Sequence, residues 1–405
     1  MTPLATASQS CPKGCPMRAI LPRGVVALGF VSLFMDISSE MIHGLLPVFL
    51  TGTLGASVIL VRLVEGLGEA VAQIVKVFSG ALSDRLGRRK PLLVFGYGLA
   101  ALTKPLFALA GSAGVVLAAR VTDRIGKGIR GAPRDALVAD LVPVAERGAA
   151  YGFRQSMDTV GAFIGPLLAI ALMALTGGDI RLVFALAILP ALLAVVILVA
   201  AVREPARHEA AGPRPRFDRE TLALLPAAYW SVVALGAVMA FARISEAFLI
   251  LKVVDVGVAA AHVPVVLVIL NAVYAATAWP AGALSDRLGR GGLLGVSIAV
   301  LALALGLLAT AGGLAAALLG IALWGLHMGL SQGLLSAAVA DAAPAALRGT
   351  AFGVFNLAGG LATLAANGAA GLLWAAGGSA WAFGAAGVAA LLALGLVRVL
   401  PALRG

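Results

Sequence analysis

Long apolar segments occupy most of this chain of 405 residues. An α-helix needs about 20 mostly apolar residues to cross the hydrocarbon core of a bilayer. Hydrophobic residues make up 61% of the chain and charged residues only 12%, and a soluble core could not bury so much apolar surface. The sequence therefore predicts a membrane protein and excludes a soluble enzyme, a secreted disulfide scaffold and a disordered chain. Charge clusters and Gly or Pro breaks predict twelve spans, approximately 24–50, 57–82, 91–111, 114–138, 149–176, 180–202, 221–251, 262–284, 292–311, 314–340, 350–376 and 380–400.

Basic residues in the connections favour one side of the membrane. An even number of spans places both termini on that side. Its connections contain Lys13, Arg18, Arg23, Arg85, Arg88, Arg89, Lys90, Arg147, Arg203, Arg207, Arg214, Arg216, Arg219, Arg287, Arg290, Arg348, Arg398 and Arg404. The opposite connections hold little more than Arg181 and Lys252. Because cytosolic loops carry the excess of Lys and Arg, we expect the cytoplasmic (inner) membrane, both termini in the cytosol, and no nucleic-acid binding behind the net charge of +11.

A repeat divides the chain into two halves. The nine residues Gly80–Arg88 recur letter for letter at 282–290, which is 202 residues later. A second pattern of Ala-Asp, Pro, Arg-Gly and Gly begins at Ala139 and recurs from Ala340. Parallel halves are typical of transporters whose substrate site lies between them, near the middle of the membrane. The predicted organisation is a cytosolic tail over 1–23, a six-helix bundle over 24–202, a cytosolic linker over 203–220 and a second six-helix bundle over 221–405.

The repeated segment carries a loop pattern rich in Gly and Arg. Its first copy reads Gly80-x-x-x-Asp84-Arg85-x-Gly87-Arg88-Arg89, and its second copy keeps Asp286 and Arg287 but has Gly291 in place of Arg89. This pattern resembles the signature loop between helices 2 and 3 of the major facilitator superfamily, and the resemblance covers the chain from Arg23 onward. It implies an all-α membrane protein with twelve transmembrane helices in two pseudo-symmetric six-helix bundles (MFS fold). It also implies that the loop latches helix ends on the cytosolic side, where an anion beside a helix N-terminus is stabilising.

A row of glycines marks the fifth span. Gly152, Gly161 and Gly165-Pro166 have a spacing that resembles the antiporter motif of exporters in the superfamily, but Ala169-Ile170 stands where those have two further glycines. Glycines on one helix face allow close contact with a neighbouring helix, and proline bends the helix. The resemblance implies export, while plain helix packing is the other explanation of the same residues.

Charged residues also occur inside the predicted spans. Apart from Arg181 and Arg398 at span ends, ten are basic and eight are acidic. Each costs roughly 3 kcal/mol to insert, so we expect ion pairs or a watery cavity rather than lipid exposure. Steps of three and four residues place them on single helix faces. These stripes are Asp36, Glu40 and His43 on span 1, Arg62, Glu65, Glu69, Gln73 and Lys76 on span 2, and Arg120, Arg124, Lys127, Arg130 and Arg134 on span 4.

Three sets of candidate site residues follow. The candidates for proton coupling, with structural ion pairs as the alternative, are Asp36, Glu40, Glu65, Glu69 and Asp158. The candidates for the substrate cavity are His43, Arg124, Lys127, Arg130, Arg243, Glu246, Asn271, His327, Gln332 and Asn356. For Lys127 and Arg130 the alternative is an ion pair with Asp123, Asp158 or Glu69, and for His327 a packing role is favoured over substrate contact. The conformational motifs are Gly80, Asp84, Arg85, Gly87, Arg88, Gly152, Gly161, Gly165, Pro166, Asp286 and Arg287.

The favoured function is proton-coupled efflux of a small molecule by alternating access. A divalent metal exporter is an alternative, because the acids and His43 offer ligands that suit nickel, cobalt or iron. The run around Lys127 also resembles a bacterial subgroup of exporters, some of which are associated with metal resistance. The basic fourth span fits an anionic or zwitterionic substrate, or a metal chelate, better than a bare cation. Proton symport of an anionic solute is a further alternative.

Other classes of protein receive little support from the sequence. There is no nucleophile–base pair at catalytic spacing, so we expect no enzyme, and we expect no cofactor or resident metal. Cys11 and Cys15 provide only two of the four ligands usual in structural zinc sites, so reduced thiols in a cytosolic tail are expected. One chain contains both halves, which predicts a functional monomer whose partners are a small solute, protons and the lipid bilayer.

Overall fold

The computed structural model describes residues 21–205, 217–257 and 264–399, and its regular elements in these ranges are all helical. Cys11, Cys15, residues 1–20 of the tail and residues 206–216 of the linker lie outside the described residues. The predicted all-α class with twelve long helices is confirmed. Helices α1 to α12 are Arg23–His43, Val58–Leu86, Lys90–Ala108, Ala113–Leu141, Arg147–Leu175, Ile180–Ala201, Ala227–Asp255, Pro264–Leu288, Arg290–Thr310, Leu314–Ala342, 348–376 and 379–399.

Several of these helices are interrupted. The first span was expected to reach residue 50, but α1 ends at His43 and is followed by a short helix, Leu46–Val48, and a π-helical turn, Phe49–Thr53. Helix α7 is broken at Arg243, whose backbone leaves the helical region. Between α11 and α12, Gly378 has a φ of 73°, a conformation that glycine adopts without steric cost.

The helices that are apolar enough to cross a membrane are those with few charged residues. Nine stretches of the described chain are long and apolar enough to cross a bilayer, and the last of them contains both α11 and α12. Helices α2 and α4 are not among the nine because they carry charged stripes. Such charges face protein or water rather than lipid, so α2 and α4 must be shielded by their neighbours.

Helix packing follows the two-fold repeat. In the first half α2 and α3 pack against α4, and α1 packs against α5 and α6. In the second half α8 and α9 pack against α10, α7 packs against α11, and α9 packs against α12. The halves meet through α5 with α8 and through α2 with α11. The internal repeat makes α5 equivalent to α11 and α8 equivalent to α2, so the two contacts are equivalent.

Candidate functional site

A carboxylate at the end of α2 holds the first turn of α11. Asp84 is buried and accepts hydrogen bonds from the backbone N–H groups of Gly349 at 3.0 Å and Thr350 at 2.6 Å, and from the Thr350 hydroxyl at 2.9 Å. The guanidinium of Arg89 lies 3.3 Å from the same carboxylate. Free N–H groups and the helix dipole make a helix N-terminus attractive to an anion. Asp84 therefore ties the first half to the second.

The second copy makes the reciprocal contact. Asp286, at the end of α8, accepts hydrogen bonds from the backbone N–H groups of Gly148 at 2.9 Å and Ala149 at 2.8 Å, in the first turn of α5. Arg290 lies 3.7 Å from this carboxylate. We call these two contacts the latch, and the end of the bundle that carries them the latch end. The structure thus places the motif residues Asp84 and Asp286 at helix N-termini of the opposite half.

The arginines of the latch differ from those singled out in the motif. Arg85, Arg88 and Arg287 are exposed and make no ion pair with a described residue. Arg89 and Arg290 provide the guanidinium groups instead. The second copy lacks an arginine at the Arg89 position, so the last arginine of its nine-residue identity takes over that contact.

Four further residues cross-link the halves at the latch end. Arg348 lies 2.7 Å from Asp140, and Arg147 lies 2.6 Å from Asp341. Asp140 also pairs with Arg89 at 2.6 Å, and Asp341 also pairs with Arg290. These residues were not among the predicted site residues. The signal was present, because both Asp–Arg pairs belong to the second sequence repeat.

Glu204 was also missed by the sequence reasoning. Its carboxylate accepts hydrogen bonds from the backbone N–H groups of Arg89 and Lys90, the latter at 3.2 Å, at the N-terminus of α3. Glu204 lies three residues after α6, in the segment predicted to be the linker. The start of this segment is therefore bonded to the loop that carries Arg89.

Glycines allow the backbones to touch at the latch end. A Cβ atom at Gly80 would overlap the carbonyl oxygen of Gly349, and one at Gly282 would overlap that of Gly148. We expect Gly80→Ala and Gly282→Ala to lower the thermal unfolding midpoint, because the halves must move apart. The matched control is Gly98→Ala on α3, where a Cβ would meet no atom within 4 Å and alanine favours the helix by about 1 kcal/mol. Equal midpoints for all three variants would contradict the close approach.

A cavity of about 350 Å³ lies between the halves. A pocket of this size can accommodate a small organic ligand. The charged residues of its lining all come from the first half: Asp36, Lys76, Lys127, Arg130, Arg134, Asp135, Arg154 and Asp158. The second half contributes polar and aromatic side chains without formal charge: Asn271, Tyr274, Gln332, Ser336, Phe352, Phe355 and Asn356. Five of the predicted cavity residues, together with Asp36 and Asp158, are thereby brought together.

One group of cavity charges is internally paired. Arg134 lies 3.2 Å from Asp135 and 3.7 Å from Asp158. Arg154 pairs with Asp158 one helical turn away and lies 3.8 Å from Asp135. These two arginines and two carboxylates balance each other, so Asp158, a candidate for proton coupling, belongs to an ion-pair network.

A second group of cavity charges has no charged partner in direct contact. Among the described residues, Asp36 and Lys127 make no hydrogen bond or ion pair. Lys76 donates only to the amide oxygen of Gln73, at 3.4 Å. Arg130 is buried, its guanidinium carbon lies 4.4 Å from the ring centroid of Tyr97, and its Nη1 atom has no hydrogen-bond partner. Three cations and one carboxylate in the cavity are thus available to a ligand.

Another charge cluster lies inside the first half. Lys104 of α3 donates to Asp123 at 3.0 Å and to the Ser39 hydroxyl at 3.2 Å, and Arg124 pairs with Asp123 at 2.7 Å. All three charged side chains are buried. Arg124 was predicted to face the substrate cavity, but it is not part of the lining because it turns to its neighbour Asp123.

Two further acids of α1 and α2, Glu40 and Glu69, are not part of the cavity lining. Glu40 and His43 are 3.3 Å apart and partly exposed, with 34% and 44% of their side-chain surface accessible. Glu69 is exposed and accepts a hydrogen bond from Gln73 at 2.7 Å. Glu65 lies on α2, but its side chain is outside the described part of the structure. Helical periodicity places Asp36, Glu40 and His43 on one face, and only Asp36 reaches the cavity.

In the second half, three predicted residues are absent from the lining. His327 is fully buried, and its Nδ1 atom contacts the Ser297 hydroxyl at 2.9 Å, so it packs inside the half. Arg243 bonds to Met239 and Met328 at the break of α7. Glu246 is exposed in the first turn of the second part of α7.

The glycine row of α5 has two separate contacts. Gly161 and Gly165 face α1, where a Cβ atom would meet the backbone carbonyls of Leu33 and Ile37. Gly152 instead faces Ala278 of α8. Pro166 lies inside α5. The row therefore packs α5 both within its own half and across the interface.

Metal-ligand chemistry receives no support from the part of the chain that is described. No three His, Cys, Asp or Glu side chains stand close enough there to hold a metal ion. The described acids nearest to the expected ligand set, Glu40 and Asp36, point to different surroundings, since Glu40 pairs with His43 whereas Asp36 faces the cavity.

The fold and the site together define a membrane transporter of two repeated halves with a central cavity. The family model of the Major Facilitator Superfamily matches residues 28–367. The chain belongs to this family.

Relatives and solved structures are consistent with this assignment. An uncharacterized protein of Mycobacterium tuberculosis is 31% identical over 87% of this chain and 86% of its own length. An uncharacterized MFS-type transporter of Methanocaldococcus jannaschii is 31% identical over 87% of this chain and 89% of its own length. The multidrug resistance protein MdtH of Yersinia enterocolitica is 33% identical over 37% of this chain and 35% of its own. The Escherichia coli fucose:proton symporter FucP has the same fold, with a TM-score of 0.77 and 16% identity over 93% of this chain and 98% of its own.

Proposed function

We propose that this protein exports a small molecule across the cytoplasmic membrane in exchange for protons, by alternating access. One observation carries the proposal: Asp36 lies without an ion-pair partner among the described residues, in a cavity between two halves that the latch closes at one end. A carboxylate in that position can exchange a proton for a ligand when the halves rock about the cavity. In this proposal, the closed latch defines a state in which the cavity opens only toward the opposite end.

Three features support export and orientation. The glycine row of α5 resembles the antiporter motif, and the partial relative MdtH is named a multidrug resistance protein. The basic connections favour a cytosolic latch end and cytosolic termini. Because a single chain holds both halves and the cavity between them, the proposed working unit is a monomer.

Transport should depend on the Asp36 carboxylate. We expect Asp36→Asn to lower proton-driven efflux at least tenfold, because the amide cannot take up or release a proton at this position. Acidified everted vesicles from an efflux-deficient host would be challenged with a panel of dyes and antibiotics, and proton release would be followed with a pH-sensitive dye. Glu220→Gln, which removes an exposed carboxylate outside the long helices, serves as the control.

Two outcomes would contradict the proposal. Proton release of equal size in wild type and Asp36→Asn would show that coupling does not depend on this carboxylate. Solute accumulation driven by protons moving in the same direction would show symport rather than exchange.

A further inference from the structure

Among the charged cavity residues that have no ion-pair partner within the described chain, cations outnumber carboxylates. Arg134, Arg154, Asp135 and Asp158 balance one another. The surplus consists of three cations, Lys76, Lys127 and Arg130, and one carboxylate, Asp36. A ligand that completes this set must supply negative charge to the cations of α2 and α4, and positive charge to Asp36 of α1.

The surroundings of Arg130 indicate that the cations are prepared for a ligand. The residue is 95% buried and its guanidinium lies over the ring of Tyr97, yet its Nη1 atom has no hydrogen-bond partner among the described residues. A buried guanidinium N–H without an acceptor is costly, and an acid group supplied by a ligand would satisfy it. Lys127 lies one helical turn before Arg130 on α4, so both can reach one acid group.

The cavity wall formed by the second half fits an uncharged part of a ligand. Asn271, Gln332 and Asn356 provide amide groups, and Phe352 and Phe355 provide aromatic faces. No formally charged residue of the second half is in the lining. The ligand therefore needs charged groups on its side toward the first half and a polar or aromatic framework on the other.

We propose that the cavity binds an amphoteric organic solute, whose carboxylate, sulfonate or phosphate group contacts Lys127 and Arg130 and whose amine contacts Asp36. Lys76 adds positive charge on the acid side. This inference rests on the proposed export function and names its substrate class. A bare organic cation would be repelled by the three cations, and a simple anion would leave Asp36 without a partner.

The position of Asp36 also gives the sign of proton coupling. Its carboxylate is faced by Lys127, Arg130 and Arg134 of α4 and by Asp158 of α5, while Tyr274 is the titratable side chain on the second-half wall. A proton on Asp36 removes the negative charge that holds the amine. Proton and solute then exclude each other at Asp36, which is the relation that exchange requires.

Matched probes test the proposal on purified full-length protein in detergent, without any gradient. The amphoteric probe is 4-(aminomethyl)benzoate, with 4-methylbenzoate as the acid-only probe and 4-methylbenzylamine as the amine-only probe. A two-ring biphenyl series of the same three types covers a longer solute. Calorimetric titration at pH 8 should give at least tenfold tighter binding for an amphoteric probe than for either single-group probe of the same length. Binding of the amphoteric probe should weaken as the pH falls to 5.

Variants assign the two contacts separately. Asp36→Asn should lower the affinity for the amphoteric probe to that of the acid-only probe and remove its pH dependence. Lys127→Gln with Arg130→Gln should weaken acid-bearing probes at least tenfold without weakening the amine-only probe, because the double change removes two cations that repel an amine. Arg130→Lys should retain most of the affinity. Lys252→Gln, a lysine of α7 outside the cavity lining, should bind all probes like wild type. Thermal unfolding of each variant confirms that it is folded.

The proposal is overturned if acid-only or amine-only probes bind as tightly as the amphoteric ones, or if no probe binds at 10 mM. Unchanged affinities in folded Lys127→Gln with Arg130→Gln overturn it as well. These measurements use no proton gradient, so they can fail while Asp36→Asn still abolishes proton release in vesicles. Conversely, selective amphoteric binding without proton-driven efflux would reject the export function and leave the ligand class standing.

Discussion

Removing both latch carboxylates should open the latch end. In the double variant Asp84→Asn with Asp286→Asn, the first turns of α11 and α5 lose the anions that accept their backbone N–H groups. A hydrogen bond to a charged group contributes about 1.5–3 kcal/mol, and a conservative total of about 3 kcal/mol changes the ratio of closed to open forms by about a hundredfold. We expect transport to fall at least tenfold, because the closed form is one of the two states of the cycle.

Spin labels can measure the opening directly. Leu86 and Leu288 are equivalent exposed residues at the ends of α2 and α8, so cysteines there report the separation of the halves by double electron–electron resonance. Cys11 and Cys15 are the only native cysteines and would first be changed to serine. The double variant should populate longer distances than the parent.

The control for this experiment comes from the same motif. Arg85→Gln with Arg287→Gln removes two charges next to the latch carboxylates, but both arginines are exposed and make no ion pair with described residues. Their distance distribution should match that of the parent. If the carboxylate variant also matched the parent, the two helix N-terminal contacts would not be what keeps this end closed.

The sequence repeat predicted the latch better than it predicted the partners of the latch. Identical residues in two halves must occupy equivalent places, so Asp84 and Asp286 could be paired from the letters alone. Which arginine joins them depends on how the following helix begins. Arg89 precedes α3, whereas Arg290 is the first residue of α9, and no pattern in the letters distinguishes these cases.

Spacing predicts the stripes on α1 and α4, and residue count places Asp36 and Glu40 near the middle of the membrane, but neither shows which residue of a stripe reaches the cavity. From Asp36 to His43 a helix rises about 10 Å, so residues on one face can still meet different surroundings. On α4, Arg124 is drawn to Asp123 and Lys104, whereas Lys127 and Arg130 reach the cavity. On α10, a lone histidine in a mostly apolar helix favours packing over substrate contact, and His327 does pack against Ser297.

Asp123 should be among the most sensitive residues for stability. In Asp123→Asn, Lys104 and Arg124 remain buried without their shared carboxylate. Removing one partner of a buried ion pair costs about 3–5 kcal/mol, because the remaining charge is uncompensated. We expect a loss of this size in the free energy of unfolding, measured by denaturant titration in mixed micelles, together with a lower thermal midpoint.

The half-exposed pair of Lys252 and Asp255 on α7 provides the comparison for Asp123. It joins the same residue types at 3.8 Å, and Lys252 is buried, but 56% of the Asp255 side chain is accessible. Lys252 also donates to the Ser379 hydroxyl at 2.9 Å, and a carboxylate this exposed contributes less than about 1 kcal/mol to such a pair. Asp255→Asn should therefore change stability little. Adding Lys104→Met to Asp123→Asn should restore part of the lost stability, because it removes one of the two buried cations left without a carboxylate. Equal losses of stability in Asp123→Asn and Asp255→Asn would show that the cluster does not depend on charge compensation. A larger loss after the addition of Lys104→Met would show the same. The contact of α3 with α4 would then be stabilised by packing alone.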